Sequence, residues 1–147
     1  MEATEIAELG RTPDEIVTEL GRIRAQSGLL FTVETFDRLL ALGPVGRGKA
    51  LLGALLNVKP ILGLDDAGRV IPKGKAIGSN RVVTALLDVI AAEVGPAHEK
   101  IRFGIVHVGA PKMIAEVRKR LVEQWGDVEI PSGPVTPVIS THLGTGA

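Results

Sequence analysis

The sequence has 147 residues, 45% hydrophobic and only 3% aromatic, with 17 basic and 17 acidic side chains giving no formal net charge. That length suits one domain with a real core, while the charge balance and the lack of a basic, aromatic-studded stripe exclude a nucleic-acid surface. With no cysteine, disulfides, thiolate metal ligands and a thiol nucleophile are excluded, which suits a cytoplasmic protein.

Glu2 to Leu9 reads as a short helix stopped at Gly10. Thr12-Pro13-Asp14-Glu15 is a helix start, with Thr12 as cap, Pro13 in the first turn and Glu15 completing a capping box. Ile16, Leu20 and Ile23 then form one apolar face, and Ser27-Gly28 ends the helix. Leu29 to Val33 reads as a strand and Thr35 to Leu42 as a helix. A glycine-rich turn, Gly43 to Lys49, leads into an apolar helix, Ala50 to Leu56. Val58 to Leu64, the turn Asp65-Asp66-Ala67-Gly68 and Arg69 to Ala76 form a hairpin, with Pro60 arguing for an edge or a strand end. Ser79 or Asn80 caps a helix whose inward stripe is Val82, Val83, Leu86, Leu87 and Ile90. After Gly95-Pro96, the apolar run Ile101 to Val108 reads as a strand buried on both faces. Pro111 opens a helix with Ile114, Val117 and Leu121 inside and Arg118, Lys119 and Arg120 outside. Val128 to Ile130 and Val135 to Thr141 read as the last strands. This order predicts one α/β domain over residues 1–147, a layered sandwich with a mixed β-sheet flanked by helices.

Mean hydropathy is +0.26, so either the interior is large or apolar surface meets a partner, a second copy included. No apolar run approaches the roughly 20 residues of a membrane span, and the acidic start Met1-Glu2-Ala3-Thr4-Glu5 has no signal-peptide pattern.

Few residues suggest chemistry. Gly43 to Lys49 fits G-x-x-x-x-G-K, but Ala50 replaces the magnesium-binding hydroxyl and a helix precedes it, so a turn is the better reading. The histidines and carboxylates show no metal-ligand spacing, and no cofactor motif or nucleophile elbow is present. His98 lies in a polar turn. His107 lies near the carboxyl end of a strand, where ligands gather in open α/β sheets. His142 follows the last strand in Ser140-Thr141-His142-Leu143-Gly144-Thr145-Gly146. Its imidazole and the Thr141 hydroxyl can donate to a carboxylate, and Gly144 and Gly146 allow close backbone approach. An ordinary polar turn leaving a sheet fits these residues equally well.

Three stretches resemble the DegV family. Lys49-Ala50-Leu51-Leu52-Gly53-Ala54-Leu55-Leu56-Asn57-Val58-Lys59-Pro60-Ile61-Leu62 is similar to its central motif. Gly133-Pro134-Val135 with Ser140 to Ala147 is similar to its closing histidine-glycine motif, and Phe31 to Leu39 to a third. The resemblance covers nearly the whole chain but only the family's second lobe, the amino-terminal lobe having no counterpart. It implies a non-catalytic carrier that buries one long-chain fatty acid and presents its carboxylate, in some members to a fatty acid kinase. His142 matches the family's carboxylate-binding histidine, with Thr141 as a second donor and His107, Gly144 and Gly146 around the cleft. The family's basic positions are lost at Leu42-Gly43-Pro44 and Ile77-Gly78-Ser79, which bears on the kinase rather than on lipid. A rival reading is an enzyme related to dihydroxyacetone kinase substrate domains, in which His142 or His107 would bond to a small ketone.

Overall fold

The computed structural model describes residues 2–34, 58–95, 101–126 and 128–147. The expected helix Thr35 to Leu42, the Gly43 to Lys49 turn, the helix Ala50 to Leu56 and His98 lie outside these residues. Helix α1 (Glu2–Glu8) ends at Gly10, whose φ of 76° suits glycine. Helix α2 (Pro13–Ala25) starts as its sequence dictates. The Glu15 N–H donates to Thr12 Oγ1 at 3.4 Å, and the Thr12 N–H donates to Glu15 Oε2 at 2.9 Å.

Strands β1 (Leu30–Thr32), β2 (Val58–Leu64) and β3 (Val70–Ile77) form an antiparallel sheet in that order. The strand carrying Pro60 is therefore central, not an edge. The short β1 pairs only with Ile61, Leu62 and Gly63, so Pro60 has a ladder on its β3 side alone, opposite Lys75. A strand tolerates proline in that setting. The hairpin turn is held by Asp65, whose Oδ1 accepts the N–H groups of Ala67 at 3.0 Å and Arg69 at 2.8 Å. In β3 the register steps from Gly74 to Pro72, leaving Lys73 as a bulge. Lys73 Nζ then meets Glu93 Oε1 at 2.6 Å, tying the sheet to the next helix.

That helix, α3 (Val82–Val94), follows a 3₁₀ turn at Ser79–Arg81. Neither Ser79 nor Asn80 caps it. They form the turn themselves, and the Arg81 N–H donates back to the Gly78 carbonyl at 3.2 Å. The expected single stripe is two. Val82, Ala85, Leu86 and Val89 pack on Ile61 and Ala76 of the sheet, while Val83, Leu87 and Ile90 pack on the next helix. A helix apolar on most of its circumference belongs between two layers, and α3 takes that place.

Strand β4 (Ile105–His107) runs parallel to β5 (Ser132–Pro134) in a separate two-stranded pair. The protein is thus α/β and layered, as expected, its strands among the described residues forming an antiparallel sheet and a parallel pair. The run from Ile101 yields only three strand residues, and it is not buried on both faces. Ile105 packs inward against the core formed with α3, whereas Val106 points the other way and is 60% exposed.

Helix α4 (Pro111–Trp125) buries Val117 and Leu121 as expected. Arg118 does more than face solvent. Its Nη1 donates to the Ile130 carbonyl at 2.7 Å and its Nη2 to Ser132 Oγ at 2.6 Å, fixing the approach to β5. The last two expected strands are both corrected. Val128 to Ile130 forms no strand, and Pro137 to Leu143 is helix α5. The β-branched Val138, Ile139 and Thr141 suggest a strand, but Thr136-Pro137 opens a helix as Thr12-Pro13 does, and Gly144 closes it with φ 79°. No helix among the described residues is long and apolar enough to cross a membrane.

Candidate functional site

A half-open cavity of about 1500 Å³ lies between the two sheets, with β1 on one side and β4 on the other. Its volume exceeds the roughly 300–1,000 Å³ of ordinary small-ligand pockets. Aliphatic side chains make most of its wall: Leu30 from β1, Leu86 and Ile90 from α3, Val117 and Leu121 from α4, Leu143 from α5. Charge collects elsewhere around it, on Glu19 and Arg22 of α2 and on Glu93 and Arg102.

The carboxyl-terminal residues join the two sheets at one end of this space. The Val108 N–H donates to the Ala147 carbonyl at 2.9 Å, and the Gly146 N–H donates to the Val108 carbonyl at 2.8 Å. On the other side, Leu143 and Ala147 pack on Val33 and Leu62 of the antiparallel sheet. Gly146 has φ 90°, and a Cβ there would lie 2.6 Å from Glu34 Cγ. Glu34 cannot swing away freely, because Lys59 Nζ forms an ion pair with its carboxylate. Glycine at 146 is therefore favoured by backbone conformation, and a Cβ there would also have to displace the Glu34 side chain.

His107 borders the cavity and also a second hollow of about 620 Å³ against α4. Its Nδ1 accepts the Ala110 N–H at 3.4 Å, at the start of α4. His142 does not follow a strand; it occupies the last turn of α5 and is half-buried. It does not border the cavity, but Leu143 beside it and Ile139 three residues before it do. Thr141 is exposed, and its Oγ1 donates to the Pro137 carbonyl at 2.9 Å. The fold thus gathers His107, Gly146 and Ala147 around the end of β4. It sets His142 on the adjoining helix and turns the Thr141 hydroxyl to its own backbone. Among the described residues, no group of three or more histidines and carboxylates could hold a metal ion.

One residue escaped the sequence reading. Thr32 is 6% exposed and borders the cavity, and its hydroxyl has no hydrogen-bond partner. The only signal was a polar residue inside the apolar run Leu29 to Val33, and threonine is common enough in strands to pass unnoticed.

Over residues 1–147 the chain matches the model of the DegV family, described as uncharacterised proteins. A DegV domain-containing protein of Streptomyces coelicolor is 32% identical over 145 residues, 98% of this chain and 50% of the relative. Among solved structures, a fatty-acid-binding DegV family protein from Thermus thermophilus is similar with a TM-score of 0.82 and 30% identity, over 98% of this chain and 51% of that one. The fatty acid kinase (Fak) B3 protein of Streptococcus pneumoniae, loaded with linoleic acid, has a TM-score of 0.79 over 98% of this chain and 50% of that one; at 21% identity the likeness is one of fold. The chain spans about half the length of these relatives. With a family match along its whole length, the chain belongs to the DegV family.

Proposed function

We propose that this chain is the acyl-holding part of a non-catalytic fatty-acid carrier, acting in the cytoplasm. The observation that carries the reading is the cavity of about 1500 Å³ with aliphatic walls. Burial of an alkyl chain there contributes about 0.8 kcal/mol per methylene, and branched aliphatic side chains are all the wall such a ligand needs. The fatty-acid-binding relative from Thermus thermophilus supports the same reading.

In this proposal His142 donates a hydrogen bond to the carboxylate, and His107, Gly144 and Gly146 frame the cleft. His142 lies next in sequence to Leu143, which borders the cavity, and this favours that role. Thr141 joins as second donor only by giving up its bond to the Pro137 carbonyl. A carboxylate held in this way is what a fatty acid kinase would need to receive, and the fold likeness to the Fak B3 protein makes that partner part of the proposal. Such a kinase would engage the turn after β3 without arginines at Ile77-Gly78-Ser79, where the family's basic positions are lost.

The test is His142→Ala, with affinity read by displacement of a fluorescent acyl probe. Loss of a hydrogen bond to a charged group predicts affinity about tenfold to a hundredfold weaker. Unchanged affinity would remove His142 from the carboxylate site.

A further inference from the structure

The cavity is half-open, and its mouth is apolar. Leu29, Leu64, Val106 and Ile139 all border it, and each is between 40% and 60% exposed. They come from the segment before β1, the end of β2, β4 and α5, so the fold, not one run of sequence, gathers them. Exposed apolar side chains collected at one opening mark a surface that something covers. The charged groups bordering the same cavity are balanced, Glu19 and Glu93 against Arg22 and Arg102. Each is already paired within the chain, Arg22 with Glu19, Glu93 with Lys73 and Arg102 with Glu5. A rim of balanced charge on a chain with no net charge offers no pull to an anionic membrane or to a strongly charged partner. It suits a second copy. A twofold interface sets one patch against itself, and a rim of one sign would repel its own image.

We infer that two copies of this chain meet mouth to mouth, each closing the other's cavity over an acyl chain. The inference rests on the acyl-carrier reading and names the cover that a half-open site lacks. The apolar rim of the second copy supplies the missing wall. Acid and partner then stabilise each other. The part of the acyl chain left in water at an open mouth is buried only in the dimer, so the acid binds the dimer more tightly. By linkage, the dimer forms more readily with acid bound.

The test is sedimentation of the 147-residue chain, stripped of lipid, with and without one equivalent of hexadecanoic acid. The acid is expected to lower the dimer dissociation constant about tenfold, and native mass spectrometry should show two acids per dimer. Val106→Glu and, separately, Leu29→Glu bring like charges together at the mouth and should weaken the dimer at least about tenfold. Both positions are exposed, so both variants should keep the melting temperature of the parent. Ile77→Glu, at an exposed position that does not border the cavity, should leave the dimer intact. A dimer weakened by Ile77→Glu and untouched by both mouth variants would overturn the inference. So would an acid that loosens the dimer, or a chain that binds acid as a constant monomer. In each case the carrier reading stands. A monomer that binds neutral phosphatidylcholine vesicles, and loses them in Val106→Glu, would overturn it as well and give the mouth to a lipid surface. A chain that takes up no acid in any state would sink both readings.

Discussion

Gly146 shows how a single residue can hold the site together. It lies between Val108, just after β4, and Glu34, two residues after β1, at φ 90° and with a Cβ position 2.6 Å from Glu34 Cγ. Gly146→Ala should destabilise the chain by roughly 1–3 kcal/mol, the cost of a non-glycine residue in that conformation, measured as a shift in the urea midpoint. A midpoint equal to that of the parent would mean that the tail detaches without consequence. At this scale, the sequence singled out His142, His107 and the two glycines as candidates through residue type and family resemblance. It left their surroundings illegible. That the Thr141 hydroxyl is turned to the Pro137 carbonyl depends on α5 being a helix, and a run rich in valine, isoleucine and threonine hides that. Thr32 stayed hidden because an orphaned hydroxyl is a property of its neighbours in space.

Elements were read well wherever local chemistry decides them. The capping box of α2 and the Asp65–Gly68 turn follow from the hydrogen-bonding reach of short polar side chains. The Asp65 carboxyl is held below its ordinary pKa of 3.8, first by the Arg69 backbone N–H and next by the Arg69 side chain. A lowered carboxylate pKa gives stability that is complete above the ordinary value and is lost as pH falls through the lowered one. The β2–β3 turn should therefore hold at neutral pH and loosen below about pH 4. Asp65→Asn should flatten that dependence, as followed by amide exchange at Ala67 and Arg69. An unaltered acid response would show that other carboxylates control it. Elements decided by tertiary context were missed. The edge expected for β2 failed because β1 pairs with its Ile61 to Gly63, stopping short of Pro60. The double-sided burial expected around β4 failed because Val106 faces away from the α3–α4 core.

On the scale of the whole molecule, the α/β class was legible from the alternation of helix and strand patterns. The cavity was not, because it arises from the spacing between two sheets. High hydropathy was a sound signal of apolar surface needing cover. Part of that surface is the cavity wall, and part lies outside, with Val138 67% and Ile77 64% exposed. Such surface predicts self-association of this chain, seen as a sedimentation mass that rises toward the dimer with concentration. A constant monomer mass up to high concentration would contradict it.

The central claim is that the space between the sheets holds one fatty acyl chain. Its most direct test is native mass spectrometry of the purified 147-residue chain, before and after incubation with long-chain fatty acids, alongside solvent extraction of the bound material. The account predicts one fatty acid per chain, released on extraction and restored on incubation. A chain that carries no acyl species and takes up none in excess fatty acid would contradict it.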